Sequence, residues 1–504
     1  MIVAAFSTAL LTAVALVGPT GGSVVSPGAG HASDSTVPER PDIVVIVADD
    51  LGWGDVSFLD GRDVATPAID SIARDGATLI DFHGAACVCT PSRYAMMTGR
   101  HPWRSEGGLD GVLMMFDPRH RSRGLRAGET TFAETLQAVG YDTMLAGKWH
   151  LGHGDAAVAP NAHGFDVFHG CRGGCIDAFT HRYATEPDWW RDDEPLVEDG
   201  ESNDLIAAAA AAFIEAHARD GGDDADADPF LVVVSLTAPH YGKSCLDDAA
   251  ADPRSLVTRG AGAARATRDG GEGDTCRPVN TIQAAADDLR AVGIEPGADG
   301  IEATDVERAT AVADGDRVPR DVRRRHYRGL VHAMDDAVAT VLAALDAAGR
   351  GDAIVLFTAD HGPDTTVSNA GDSGRWSGGK HGLREGGTRV PTALRWRGAV
   401  EPGRTIAQSG GLIDLHPTLA EFAGAVPPDG LDGLDLSGVW RGDDAERSRS
   451  LRFRHGRSRS VREGRWKWLD GRLFDLEADP RETTDLAEAH PDVAAGLAAT
   501  AAAD

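Results

Sequence analysis

The chain has 504 residues and a mass of 52.8 kDa, and its formal net charge of −29 with a pI near 4.9 makes it strongly acidic. One hydrophobic core stops growing near ~250 to 300 residues, so the length accommodates a large α/β core with a smaller partner. The charge excludes nucleic acid as a partner and argues against a general attraction for polyanionic polymers, so any capture of an anion has to be local.

Residues 2 to 17 form an apolar stretch, followed by a Gly/Ser/Pro-rich segment and a small-residue site at Gly30-His31-Ala32. This pattern predicts a cleaved export leader over 1–32. The stretch is shorter than the ~20 residues of a spanning helix, so the mature protein is expected to be exported without stable membrane association. Apolar, β-branched runs then recur, each ending abruptly in a polar cluster. Ile43 to Val47 runs into Asp49 and Asp50, Tyr141 to Ala146 into Lys148 and His150, Phe230 to Leu236 into His240, and Ile354 to Phe357 into Asp360 and His361. Such runs read as buried strands of a parallel sheet. Helical periods alternate with them at Pro67 to Arg74, Thr131 to Val139, Asp204 to Ala218, Val322 to Ala348 and Leu412 to Ala423. The interval 247–319 is rich in Ala, Gly, Asp and Arg without a strong apolar period, and reads as a lid or flexible insertion. From about Leu451 short strands separated by turn residues predict a small antiparallel sheet and a final helix. The expectation is an α/β fold: a large mixed, mostly parallel sheet sandwiched by helices over 41–440, and a small C-terminal antiparallel-sheet subdomain over 441–504.

In open α/β sheets ligands bind beyond the carboxyl ends of strands, so clusters far apart in sequence can converge there. One acidic pair at a strand exit often just closes a turn. Four such exits together point to a site. Lysine usage sharpens this, because the chain carries 4 Lys against 45 Arg, yet Lys148 and Lys380 both fall inside clustered motifs. A compact ammonium is not interchangeable with a planar guanidinium, so chemistry explains those two better than composition does. Lys243 and Lys467 read as structural or peripheral. Cys89, just ahead of Pro91, is placed at the positive end of a helix that the proline can open, where anions bind and thiol chemistry is favoured. Of the other cysteines, Cys171 with Cys175 and Cys245 with Cys276 are close enough in sequence to be candidate disulfides, and Cys87 reads as a buried free thiol.

The segments resemble the type I, formylglycine-dependent sulfatases over nearly the whole mature chain. The resemblance rests on Val47-Ala48-Asp49-Asp50-Leu51-Gly52, on Cys89-Thr90-Pro91-Ser92-Arg93 followed by Thr98-Gly99-Arg100, and on Gly147-Lys148-Trp149-His150-Leu151-Gly152. Ala238-Pro239-His240, Thr358-Ala359-Asp360-His361-Gly362, and Gly379-Lys380 leading to Glu385-Gly386-Gly387 continue it in the family's order. The tail, Arg465-Trp466-Lys467-Trp468 with Leu473-Phe474-Asp475-Leu476, is similar to the family's C-terminal subdomain. One departure is Glu201-Ser202-Asn203-Asp204, which stands where relatives often carry a Gly-Tyr-x-Thr-Asp run.

The resemblance implies an alkaline-phosphatase-like fold and a cysteine oxidised to formylglycine at position 89 by a formylglycine-generating enzyme. It also implies that the aldehyde hydrate attacks the sulfur of a sulfated small molecule or glycan, with Asp360 helping to activate it and Arg93 and Lys148 holding its geometry. His240, assisted by Lys380, would protonate the departing alcohol, and His150 would take the last proton so that sulfate leaves. Asp49, Asp50 and Asp360 are hard oxygen ligands that suit Ca²⁺, together with an oxygen of residue 89; His361 also admits Mn²⁺ or another divalent cation. Two other readings compete. A phosphonate or phosphate ester hydrolase with two metals needs a further Asp/His set, which Asp321 and His326 do not supply by spacing. A non-catalytic sulfated-glycan binder predicts loss of Cys89 or a metal carboxylate. Trp103, Trp189, Trp190 and Trp376 lie near motif loops as candidate ring-stacking residues.

Overall fold

The computed structural model describes residues 40–59, 61, 63–218, 228–245, 255–259, 278–283, 286–292 and 320–503. The leader expected over 1–32, Cys276 and much of 247–319 lie outside the described residues.

A ten-stranded sheet forms the centre, with its strands in the order Arg404–Ile406, Ala77–Leu79, Ala393–Arg395, Ile354–Ala359, Ile43–Ala48, Phe230–Ser235, Asp142–Gly147, Val167–Gly170, Trp190–Arg191 and Glu194–Pro195. The five strands from Ile354–Ala359 to Val167–Gly170 run parallel, and antiparallel partners flank them. All four apolar runs read from the sequence are among these five. Every residue of Ile43–Ala48, Phe230–Ser235 and Ile354–Ala359 is buried, as expected of strands covered on both faces.

Register explains why the exits converge. Ala48 lies opposite Ala359, Val47 opposite Ser235, and Ser235 opposite Gly147, so Lys148 and Leu236 leave the sheet level with Ala48 and Ala359, one residue before Asp49 and Asp360.

The helices fall close to the expected spans: Pro67–Arg74, Phe132–Gln137, Ser202–Ala216 and Arg320–Ala347, with a 3₁₀ turn at Leu412–Asp414 leading into Leu415–Phe422. The Arg320–Ala347 helix packs on both Ser202–Ala216 and Pro67–Arg74. Its buried Asp335 accepts from the amides of Ala68 and Ile69 (3.1 and 2.9 Å), capping the helix that Pro67 opens. No described helix is long and apolar enough to cross a membrane. Within 247–319 the described residues form the strands Ser255–Arg259 and Pro278–Gln283, which pair with each other, the latter also with Gly242–Cys245, and a short helix at Ala286–Ala291.

The tail forms an antiparallel meander of Ser450–His455, Ser458–Glu463, Trp466–Leu469 and Arg472–Asp475, with the helix Pro491–Ala502 against it. Buried charge joins this sheet to the main body. Lys467, fully buried, donates to Glu385 Oε1 at 2.9 Å and lies 3.3 Å from Glu482 Oε1. Arg462 and Arg389 both reach Asp81 (2.6 and 2.8 Å), and Arg389 also pairs with Glu385.

The Cys171–Cys175 pairing expected from spacing is corrected: both are free, as are Cys87 and Cys89. The backbone after Val167–Gly170 clamps onto Gly147–His150 through Cys171 N to Gly147 O, Trp149 N to Cys171 O and His150 N to Arg172 O. That leaves Cys171 buried over Gly173 and directs Cys175 toward His240 and the Tyr241 carbonyl. Cys87 is buried, as read from the sequence.

Candidate active site

Cys89 is the first residue of the helix Cys89–Thr98, and Pro91 lies in its first turn, where a missing N–H costs no helical bond. The thiol is 1% exposed. Burial alone would raise its pKa, but Lys148, Lys380 and His361 outweigh that and hold it well below the ordinary thiol value. The site is therefore built for negative charge at this atom.

Arg93, one turn along the helix, ties four strand exits together. Its Nε and Nη2 reach Asp360 Oδ2 (3.1 and 3.0 Å), Nη2 lies 3.4 Å from Asp49 Oδ1, and Nη1 donates to Ser235 Oγ (2.6 Å) and the Lys148 carbonyl (3.3 Å). Lys148 Nζ donates to Asp49 Oδ2 at 2.5 Å. Burial opposes its charge, and Asp49 and then Cys89 reverse that, so the ammonium persists.

The second acidic residue has a left-handed backbone. Asp50 has φ +65°, and its carboxylate meets Lys380, whose Nζ donates to both oxygens at 2.7 and 2.8 Å. Lys380 also meets His240 Nε2 at 2.9 Å, while His240 Nδ1 donates to the Tyr241 carbonyl at 2.6 Å. Burial pushes the His240 pKa down, and Asp50 more than reverses it, so it rises well above the usual value.

His150 also has positive φ, +59°. Its Nε2 donates to the Leu113 carbonyl at 2.9 Å, and its Nδ1 has no hydrogen-bond partner among the described residues. Burial and Lys148 lower its pKa, so the ring is neutral with a lone pair beside Cys89. Gly174 permits this, since a Cβ there would collide with the ring.

Four buried groups can share a cation. One ligand atom each from Asp49, Cys89, Asp360 and His361 lies within 4.8 Å of the others, and Asp49, Asp50, Cys89 and His240 form an overlapping set. His361 Nδ1 donates to the Gly362 carbonyl (2.8 Å), which leaves Nε2 facing Asp50 Oδ1 and Cys89 Sγ, each at 3.3 Å. Asp49 Oδ1 is buried without a hydrogen-bond partner. Burial raises Asp360 to about 6 against the pull of His361 and Arg93; His361, despite burial, rises to about 9 because of Asp360 and Cys89. An orphaned carboxylate oxygen, three acidic residues and an inward imidazole fit a divalent cation.

Every residue expected at the site is thus brought together: Asp49, Asp50, Cys89, Arg93, Lys148, His150, His240, Asp360, His361 and Lys380. The tryptophans are not free platforms. Trp189 and Trp376 are buried, Trp190 is covered by Arg172 (4.1 Å), and Trp103 is stacked on His101 (4.1 Å). Sequence reasoning missed Ser235, which accepts from Arg93, and the Leu113 and Tyr241 carbonyls, which fix the two histidine tautomers. Carbonyl contacts leave no residue-type signal in a sequence.

A family model described as Sulfatase matches residues 41–425. The chain is 35% identical to the steryl-sulfatase of Mus musculus over 436 residues, covering 82% of this chain and 66% of that protein, so it spans somewhat less than two thirds of that relative. It is 32% identical to the arylsulfatase A of Homo sapiens over 433 residues, covering 84% of this chain and 72% of that one. Among solved structures, Ps i-CgsB superposes with a TM-score of 0.70 at 23% identity over 92% of each chain. The PsFucS1 sulfatase from Pseudoalteromonas sp. gives 0.64 at 19% identity over 92% and 89%.

Proposed function

The chain belongs to the sulfatase family, and on that premise we propose that it is an exported enzyme that hydrolyses sulfate esters of small molecules or glycans to an alcohol and inorganic sulfate. The observation that carries the reading is the convergence on a buried, anion-stabilised residue 89 of three cations and two histidines with opposite pKa shifts. Two titratable groups pushed apart in this way suit an acid and a base.

Asp49, Asp50, Asp360, His361 and residue 89 would hold the divalent cation, with Ca²⁺ favoured by the oxygen-rich set and Mn²⁺ or another divalent ion admissible through His361. When bound it neutralises charge on the sulfuryl oxygens. Formylglycine, made from Cys89 by a formylglycine-generating enzyme, supplies a hydrate oxygen as nucleophile where a thiol would not turn over.

The chain's own residues do the rest. Arg93 and Lys148 orient the first turn of the Cys89–Thr98 helix and keep the centre positive as sulfate arrives. Asp360 lies beside residue 89 as the acceptor for the attacking hydroxyl's proton. His240, with Nδ1 held by a carbonyl, presents Nε2 to donate a proton to the leaving oxygen, and Lys380 steadies it. His150 offers an unoccupied Nδ1 beside residue 89 to take the proton that accompanies sulfate release.

The competing readings find less support. Asp321 is exposed and His326 buried, so they form no second metal set; the further Asp/His set among the described residues, Asp288 with His332 and Asp336, shares no residue with the cluster at residue 89, and no residue that a binder could dispense with is missing.

The test is purification of the exported protein from cells that carry a formylglycine-generating enzyme. The peptide holding residue 89 should be about 18 Da lighter than its cysteine form, and sulfate should be released from 4-nitrophenyl sulfate. Turnover of a phosphonate monoester such as 4-nitrophenyl phenylphosphonate in preference to the sulfate, or full activity with an unmodified Cys89, would overturn the proposal.

A further inference from the structure

In the run that departs from the family's usual pattern, Glu201-Ser202-Asn203-Asp204, the first three residues are buried at the start of the Ser202–Ala216 helix, beneath the exit of Phe230–Ser235, and Asp204 is exposed. Asn203 is 1% exposed. Asparagine is a poor helix residue, and a buried carboxamide is costly unless its donors and acceptor are used. Here the acceptor is used on one turn and a donor on Glu201. Its Oδ1 accepts from the amides of Thr237 and Ala238, each at 3.0 Å, and from Thr237 Oγ1 at 3.2 Å. Its Nδ2 donates to Glu201 Oε1 at 2.8 Å.

Glu201 decides which end of the carboxamide points where. Its Oε2 accepts from the Asn203 and Asp204 amides (2.6 and 3.1 Å), capping the helix, while Oε1 takes the Asn203 side chain. Ser202 Oγ bridges Glu201 Oε1 and Thr237 Oγ1, both at 2.9 Å. Thr237 and Ala238 open a turn that closes with the His240 amide on the Thr237 carbonyl at 3.1 Å, and the Ala238 carbonyl accepts from Asp49 N at 3.0 Å. Asn203 therefore grips the turn that connects Asp49 to His240.

We propose that Asn203, oriented by Glu201, is a positioning residue for the leaving-group end of the site, fixing His240 Nε2 relative to Lys380 and Asp50 through the Thr237–His240 turn. This rests on the reading of His240 as the donor to the departing alcohol. A misplacement of about 1 Å in such a group costs on the order of a hundredfold in rate, so a clamp on its turn has kinetic consequences.

The experiment compares kcat/KM for phenyl sulfate, whose leaving group needs a proton, with that for 4-nitrophenyl sulfate, whose leaving group hardly does. His240→Ala is run in parallel. Asn203→Ala should lose roughly tenfold or more on phenyl sulfate and less than about threefold on the nitrophenyl ester. Loss of fold alone would lower both together. Asn203→Asp restores the acceptor but sets a second carboxylate against Glu201, so it should be impaired like Asn203→Ala. Glu201→Gln combined with Asn203→Asp rebuilds one donor against one acceptor and should recover the wild-type ratio.

Equal losses on both esters for Asn203→Ala, with leaving-group dependence intact in His240→Ala, overturn the clamp and leave the His240 reading standing. No leaving-group dependence in His240→Ala overturns that reading and the clamp with it. Should Asn203→Ala fail to fold, Asn203→Asp alone and in the double variant still decide: a wild-type single variant, or a double variant no better than the single, refutes the proposal.

Discussion

Two buried charge clusters in this molecule have nearly the same inventory and opposite designs. The site holds Asp49, Asp50 and Asp360 with Arg93, Lys148 and Lys380; the seam to the C-terminal sheet holds Asp81, Glu385 and Glu482 with Arg389, Arg462 and Lys467. In the seam, each charge reaches across from another segment and is answered there. In the site, charges of both signs crowd around one sulfur, flanked by histidines, and carboxylate, imidazole and thiol ligand atoms lie within 4.8 Å of one another. Buried charge therefore does not mark function by amount. The mark is convergence: ligand atoms and cations from several strand exits gathered on one buried side chain.

The contrast can be broken most decisively at residue 89. Cys89→Ala should reduce turnover on the order of 10⁴-fold or more while circular dichroism and melting stay near wild type, since removal of a nucleophile costs most of catalysis. Metal removal should come next. Chelation, like Asp50→Ala, should abolish most activity, and added Ca²⁺ should restore the chelated enzyme but not the variant, read by calorimetric binding as well as by turnover.

The lysines separate the clusters. Lys148→Met should lower kcat/KM by roughly 10² to 10³-fold, a loss typical of a charge-stabilising donor. Lys467→Met should instead cost ~3–5 kcal/mol of stability in chemical denaturation, because it strands Glu385 and Glu482 in the interior, and kcat/KM of the folded enzyme at low temperature should change less than about tenfold. If Lys467→Met lost activity without stability, the seam would be part of the machinery.

The smallest effect is on pH. Burial alone would raise the Glu385 and Asp81 pKa values, but Lys467 and Arg389 for the first, and Arg389 and Arg462 for the second, hold them below the ordinary carboxylate range. A depressed folded pKa contributes stability that is complete above the unfolded values near ~4 and is lost as pH falls below them. Wild-type unfolding free energy should thus drop between about pH 4.5 and 3, and Glu385→Gln, weaker at neutral pH, should show a flatter decline over that window.

Much of this was legible in the sequence because strand exits announce themselves. An apolar run that stops at Asp49-Asp50 or Asp360-His361 reports both a buried strand and what lies at its end, and rare lysines flagged Lys148 and Lys380. The seam was opaque for the opposite reason: Asp81 and Glu482 carry no local pattern, the motif that holds Glu385 says nothing of its partners, and partners lie up to 381 positions away, as in Asp81 with Arg462. Cys171 and Cys175 misled because proximity in sequence says nothing about side-chain direction once a backbone clamp has been imposed. Glu201 to Asp204 looked like a lapse from a motif and became visible as a clamp only when the helix start lay under the Thr237–Ala238 amides.

The closed first turn of the Cys89–Thr98 helix carries a consequence for the order of events in biogenesis. A side chain 1% exposed, inside a helix whose ten residues are all buried, offers no surface to another protein. Under the proposed maturation, the enzyme would have to meet this segment as an extended peptide, so conversion of Cys89 would compete in time with folding. A chain that folded first would keep its thiol, and the active fraction of a preparation would be set before the fold closes rather than by the stability of the finished protein.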